Sequence, residues 1–356
     1  MENQNFLQIS GLKKSFGSGE NRTEVLRGLD FTVAKGEICV LLGPSGSGKS
    51  TLLNIIGGID SADSGYIMIN GEKTVDMDEK TLTQYRRKHL GYVFQMYNLI
   101  PNLNVKENVE VGAYLSDSPL DVDDILKTLG LYEHRHKLPN QLSGGQRQRV
   151  AFARALAPNP RVLLLDEPFA AIDAKVRAEL RSWLKEMVVK LGITSIFVTH
   201  DQEEAVEVAD EIIITNHGTI EQMGTPVEIY KSPATPFVAR FIGRSSVVED
   251  YDKLKGFERI EHANQAVIRP EFVKISKSGK LDRYISAAET GVVTDVVFRG
   301  NRMDVTVDIN GILVVGERSL EKDFVIVQAL KAAIKAKPGC HNFNDNAVTY
   351  TKTTET

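Results

Sequence analysis

The stretch Glu37–Thr51, EICVLLGPSGSGKST, restricts what this chain can fold into more than any other. An unbroken apolar run ends in a glycine-rich segment, and KSTLLNIIGGI follows with leucines and isoleucines at helical spacing. A strand buried on both faces, a glycine loop and a helix is how a parallel α/β sheet begins. Gly43–Ser50 fits the pattern G-x-x-x-x-G-K-[ST] in the context that pattern requires. Gly43, Pro44, Ser45, Gly46, Ser47, Gly48, Lys49, Ser50 and Thr51 are therefore the candidate phosphate cradle. Its backbone N–H groups and helix N-terminus attract anions, Lys49 adds a cation for the β- and γ-phosphates, and the Ser50 hydroxyl is a candidate Mg²⁺ ligand.

Phosphate chemistry with Mg²⁺ also needs a carboxylate near the ion. The buried run RVLLLDEP ends in two, with Asp166 as the candidate metal ligand and Glu167 as the group that orients or deprotonates an attacking water. A second glycine pair lies far from the first, in QLSGGQRQRV. Ser143, Gly144 and Gly145 open a helix with bare backbone, so this segment can touch phosphate by the same physics. No lysine follows it and no strand precedes it, so it is not built to enclose a nucleotide. The economical reading is that it closes onto ATP held by another copy of the fold, two ATP molecules lying between opposed motifs of a two-fold dimer.

Strand-type text also opens the chain (FLQISGLKKSF, EVLRGLDFTVA) and recurs in ITSIFVTH, while EIIITNHGTIEQMG reads as a hairpin with a glycine turn. Helical pieces are expected in the polar stretch 76–139, and a further helix runs up to the prolines of APNP. In DAKVRAELRSWLKEMVVKLG, Val176, Leu180, Trp183, Leu184, Met187 and Leu191 share one helical face, with Asp173 as cap and Gly192 as stop. Past Gly243 the text becomes polar and mixed, which reads as a linker over 244–262. Residues 263–339 alternate apolar and polar positions between Gly and Asn turns, so a small antiparallel β domain is expected there, although ALKAAIKAKPG is more helical. The tail 340–356 reads as disordered. The histidines of EHRHK lack further ligands and read as solvated surface.

The net charge of −4 over 356 residues argues against nucleic-acid binding driven by bulk charge. Cys39 and Cys340 form neither a disulfide framework nor a zinc pattern. No apolar run is long enough to span a bilayer and the first residues lack a signal-peptide pattern, so a cytoplasmic chain is expected.

GPSGSGKST, LSGGQ and VLLLDEP, in that order, resemble the ATP-binding subunits of ABC transporters over roughly the first 240 residues. The resemblance implies a P-loop NTPase fold of the ABC type over 1–243, α/β with antiparallel β and helical subdomains. It also implies a small, barrel-like C-terminal regulatory domain of the TOBE type. It implies ATP and Mg²⁺ as cofactors and ATP hydrolysis coupled to transport. Further residues come from it one at a time. Phe16 matches the aromatic that stacks on adenine, and Gln95 the glutamine that senses Mg²⁺. Gln146 completes the signature LSGGQ, Asp173 matches the aspartate that bridges two copies, and His200 the histidine contacting γ-phosphate. Implied partners are a second copy, integral membrane subunits and an extracytoplasmic solute-binding protein, with no nucleic acid, placing the chain peripherally on the cytoplasmic side of the membrane. From LLLDEPFAAIDAKVRAEL onward the wording is similar to importer ATPases, those of sulfate/thiosulfate import above all. GSGENRTEVLRGLDF and QMYNLIPNLNVKENV are instead similar to lipoprotein-release and macrolide-export ATPases, and ABC ATPases of translation or DNA repair stand as a third class.

Overall fold

A computed structural model describes residues 5–74, 77–170, 172, 174–255, 257, 265–276, 288–300, 302–319 and 347–350. The chain divides into two compact units, Met1–Ser232 and Pro233–Thr356. In the first, the strands and helices follow as β1 (Asn5–Phe16), β2 (Thr23–Ala34), β3 (Ile38–Leu42), α1 (Lys49–Ile56), β4 (Ser64–Ile69), β5 (Glu72–Lys73), α2 (Glu79–His89), β6 (Leu90–Val93), α3 (Val105–Ala113) and α4 (Val122–Thr128). Then come α5 (Gly144–Leu156), β7 (Val162–Asp166), α6 (Ala174–Leu191), β8 (Thr194–Thr199), α7 (Gln202–Val208), β9 (Glu211–Asn216), β10 (Thr219–Gly224) and α8 (Pro226–Lys231).

The central sheet has the order β10-β9-β3-β8-β7-β6, parallel except for the edge strand β10. Strands β3 and β8 are buried along their whole length, as their continuous apolar text requires. An antiparallel sheet, β2-β1-β4-β5, forms a second layer. Leu7, Ile9 and Ile67 from that layer, Leu41, Leu164 and Val198 from the central sheet, and Leu52, Leu53 and Ile56 of α1 share one core cluster. A separate cluster joins α3, α4 and α5 through Val105, Val109, Leu126, Val150 and Ala153. The β9–β10 hairpin turns on His217 and Gly218, both at positive φ (45° and 79°), the backbone that a tight hairpin turn needs.

Several details depart from the sequence reading. Strand β6 lies inside the polar region where helices were expected; LGYV is too short to announce itself, and it becomes a strand by pairing with β7. Helix α6 buries Leu180, Leu184 and Met187, but Leu191 is exposed, one residue before Gly192 at φ 62° ends the helix. Val188, rather than Leu191, continues the buried face. The bridging and capping roles read for Asp173 lie outside the described residues. The EHRHK segment does more than face solvent: the carbonyls of Arg135 and Lys137 accept from the amides of Lys106 and Val105, so it closes the N-terminus of α3.

The second unit contains α9 (Pro236–Phe241), β11 (Ser246–Val248), β12 (Ala266–Ile268), β13 (Val273–Ser276), β14 (Ala288–Thr290), β15 (Val292–Phe298), β16 (Arg302–Ile309), β17 (Ile312–Ser319) and β18 (Ala347–Tyr350). It begins ahead of the expected 243/244 boundary because α9 belongs to it: the buried Arg269 donates to the carbonyls of Ala239, Ile242 and Arg244. Among its described residues, the expected linker is partly buried. Within it Val248, Tyr251 and Leu254 are buried in a cluster with Val305, Val307 and Val314. Three apolar side chains spaced through polar text do not advertise a core, and only their packing discloses it. The β reading of the following residues holds among the described ones, with Asn310–Gly311 as a tight turn at φ 54° and 88°. One pairing is parallel, β13 with β17, where an antiparallel domain was expected. The tail is not wholly without structure: Ala347–Tyr350 pairs antiparallel with both β13 and β14, and Ala-Val-Thr-Tyr is suited to a strand. The helical reading of ALKAAIKAKPG lies outside the described residues. No helix among the described residues is long and apolar enough to cross a membrane.

Candidate functional site

The site is assembled where β3, β7 and β8 end. Gly43 leaves β3 against β9: a Cβ there would lie 2.7 Å from Thr215 Oγ1 and 2.8 Å from Ser47 Oγ, so only glycine lets the loop settle on that strand. Ser47 Oγ and Thr215 Oγ1 share a hydrogen bond of 3.0 Å beneath the loop. Gly48, at φ 94°, turns the chain into α1 in a conformation that penalises any residue with a Cβ. Pro44 is half-buried, Ser45, Gly46 and Ser50 are exposed at the lip, and Thr51 is half-buried on the first turn of α1.

Lys49 is buried, with its ammonium inside the loop, donating to the carbonyls of Gly43 and Pro44 at 2.9 Å each and lying 3.5 Å from Ser47 Oγ. Burial lowers its pKa, and the carboxylates of Glu167 and Asp166 act in the opposite direction. Ser50 Oγ donates to Asp166 Oδ1 at 3.2 Å, so the loop and the end of β7 are joined. Burial raises the Asp166 pKa and Glu167 adds to the rise, while Ser50 and Lys49 oppose it.

Glu167 follows β7 at φ 43°, a left-handed conformation unusual for a residue with a side chain, and its amide donates to Val198 O of β8 at 3.0 Å. That turn presents the carboxylate to two partners. Gln95 Nε2, just past β6, donates to Glu167 Oε2 at 3.1 Å. His200 Nδ1, just past β8, lies 2.8 Å from Glu167 Oε1. A carboxylate only accepts, so the bond places the proton on Nδ1 and turns Nε2 away from Glu167. Three parallel strands thus deliver Gln95, Glu167 and His200 to one point.

Phe16 ends β1 with its ring 46% exposed, which removes it from the core, and the Lys14 ammonium lies 5.0 Å from the ring centroid. Lys14 is itself fixed by Asp60 Oδ1 and Ser61 O at 2.6 Å each. The second glycine segment caps α5. Ser143 Oγ accepts from Gln146 N at 3.2 Å and Gln146 Oε1 accepts from Ser143 N at 2.9 Å, a reciprocal capping box. The serine O–H proton is not used in that bond. Gly145 is a packing glycine, since a Cβ there would lie 2.7 Å from Val176 Cγ1 of α6. Among the described residues, no hydrogen bond joins Ser143–Gln146 to the loop Gly43–Thr51.

A family profile described as "ABC transporter" matches residues 26–170. The sulfate/thiosulfate import ATP-binding protein CysA of Synechococcus elongatus is 48% identical over 247 residues, spanning 68% of this chain and 69% of that protein. The protein of the same name from Synechocystis is 42% identical over 306 residues, spanning 84% and 83%. The chain belongs to the ABC transporter family. Among solved structures, the dimeric post-hydrolysis state of the ATP-binding cassette MJ0796, bound to ADP and Pi, has a TM-score of 0.56 at 37% identity and covers 62% of this chain and 98% of that one. The cbiO1 structure from Clostridium perfringens has a TM-score of 0.58 at 31% identity, covering 65% and 92%.

Around the candidate site lie residues that the sequence did not single out. Thr215 supports the phosphate loop, and its only signal was a polar residue ending an apolar strand. Arg177 of α6 donates to Ile172 O at 3.0 Å and has Nη1 3.5 Å from Asp201 Oδ2, tying the loop after β7 to the loop that carries His200. Behind it, the buried Glu204 accepts from Thr199 Oγ1 at 2.7 Å. Neither has a motif, because each acts through a fold-dependent contact.

Proposed function

We propose that this ABC ATPase drives the import of sulfate or thiosulfate, with Glu167 as the base that activates water. The observation that carries the catalytic part is the Glu167 carboxylate held on one oxygen by Gln95 and on the other by His200. So oriented, it accepts a proton from water attacking the γ-phosphorus, while Lys49 and the backbone amides of Gly43–Thr51 stabilise charge on the phosphate oxygens. His200 Nε2, facing away from Glu167, is the atom available to the γ-phosphate. Phe16, exposed at the end of β1, is the candidate to stack on adenine. Ser50 Oγ, Asp166 and the Gln95 amide oxygen are hard oxygen donors suited to Mg²⁺, which would neutralise β- and γ-phosphate charge. The Ser50–Asp166 hydrogen bond supports this, since it brings two of the three donors together.

Ser143, Gly144, Gly145 and Gln146 would complete the γ-phosphate site of a second copy, and the unused Ser143 O–H is the donor for it. Asp173 would bridge the copies. Integral membrane subunits would supply the path and an extracytoplasmic binding protein the solute, with this chain peripheral on the cytoplasmic side. The second unit would act in regulation or dimer stability. The substrate class rests on relatives such as that of Synechococcus elongatus, 48% identical and named for sulfate/thiosulfate import. The test is uptake of labelled sulfate in cells lacking the gene. The native chain restores uptake and Glu167→Gln does not; restoration of lipoprotein release in place of sulfate uptake sinks the substrate assignment.

A further inference from the structure

The loop that carries Gln95 is pinned along its length, and the pins come from the helices, not from the central sheet. Tyr97 and Asn98 lie consecutively in the left-handed region, at φ 56° and 47°. Two such residues in succession, one of them aromatic, are strained and persist only when their surroundings hold them. The holder is Arg154 near the C-terminal end of α5. Its Nη2 donates to Tyr97 O at 2.8 Å and its Nη1 to Asn98 O at 2.6 Å, so the guanidinium grips both carbonyls with one fork. The same tyrosine reaches back along α5: its hydroxyl lies 4.0 Å from where a Cβ on Gly144 would be. Farther on, the buried Asn108 of α3 donates to the carbonyls of Ile100, Leu103 and Asn104 and accepts from Ile100 N. Helix α3 is in turn pressed on α5, since a Cβ on Gly112 would collide with the Arg154 carbonyl. The loop, α3 and α5 are therefore joined by direct contacts, with Ser143 at one end of α5 and Gln95 reaching out to Glu167.

We propose that Arg154 is a positioning residue for hydrolysis: by clamping Tyr97 and Asn98 to α5, it makes the Gln95–Glu167 hydrogen bond depend on where the Ser143 end of the same helix lies. The inference rests on the reading of Gln95 and Glu167 given above. Its physical content is the fork. Arginine holds two carbonyls from two nitrogens fixed in one plane, whereas a lysine ammonium donates from a single nitrogen with no fixed fork. Without the fork the strained pair relaxes, the amide of Gln95 moves, and misplacement of about 1 Å at such a group costs roughly a hundredfold in rate.

The test is steady-state ATP hydrolysis by the purified full-length chain, with nucleotide binding followed separately by a fluorescent ATP analogue. Arg154→Lys is expected to lower kcat by about ten- to a hundredfold with KM and analogue affinity little changed. Asn98→Pro attacks the clamp from the loop side, because proline cannot adopt φ near 47°, and leaves α5 untouched; it is expected to lower kcat in the same way. The deciding measurement is the combination with Gln95→Ala. If Arg154 acts through Gln95, adding Arg154→Lys or Asn98→Pro to Gln95→Ala lowers kcat no further. Native kcat in both clamp variants, or losses that multiply with that of Gln95→Ala, overturns the proposal while leaving the role of Gln95 intact. Native kcat in Gln95→Ala overturns both.

Discussion

At Glu167 a strained backbone and two hydrogen bonds serve one carboxylate, and each has a consequence. The left-handed turn aims the side chain between Gln95 and His200, and the two bonds orient its oxygens. Glu167→Gln keeps the shape and removes the proposed base, so ATP binding should persist while turnover falls by about a hundredfold or more. Size-exclusion chromatography with ATP should then show a dimer accumulating; a monomer elution profile would count against the role. The buried Glu204 permits a separate test. Burial holds its pKa above the ordinary glutamate value, despite the Thr199 hydroxyl and the Arg177 and Arg181 charges. A carboxyl raised in the folded state favours folding fully below its unfolded pKa, and that contribution is lost as pH rises through the folded value. Native protein and Glu204→Gln should therefore have similar Tm in acid, and the native Tm should fall relative to the variant as pH climbs above the usual glutamate range. A Tm difference that stays constant across that window would exclude the linkage.

At the scale of the element, α5 shows why adjacent glycines need not have one purpose. Ser143 caps the helix and keeps a donor proton, whereas Gly145 exists because α6 lies too close for a side chain. Gly145→Ala places a methyl 2.7 Å from Val176 Cγ1 and is expected to destabilise the protein by about 1–3 kcal/mol through overpacking. Thermal or urea unfolding measures it. Adding Val176→Ala should return a large part of the loss, and no recovery would mean that the strain lies elsewhere.

For the whole molecule, every described residue assigned to the nucleotide lies in the unit ending at Ser232. A chain ending at Ser232 should bind ATP with the affinity of the full chain, as isothermal titration can establish. Ending at Gly243 should be worse. It keeps α9, with Val238, Ala239 and Ile242 on its buried side, but removes β11, which lies against α9, and Arg269, which donates to the carbonyls of Ala239 and Ile242. The longer fragment is therefore expected to have the lower Tm and to aggregate more readily, by exposure of an apolar helix face. The opposite order would return the boundary to Gly243.

What the sequence determined by itself is the chemistry that depends on local order. Gly43–Thr51, Asp166, Glu167 and the start of α5 are legible because a glycine loop, a strand-end carboxylate and a helix start are each made by neighbours in the chain, whereas the capping box of Ser143 and Gln146 was not read. The strands were legible where apolar runs were unbroken, as in β3 and β7, or alternated with polar residues, as in β16. Contacts between distant segments were settled by the folded arrangement alone. Gln95 and His200 reach one carboxylate because β6, β7 and β8 lie side by side. Thr215 lies under Gly43, Arg154 grips Tyr97 and Asn98, and Val248, Tyr251 and Leu254 form a core in text that reads as a linker. Spacing along the chain carries no record of such meetings, because they arise from strand order and helix packing, which bring together residues that no local pattern connects.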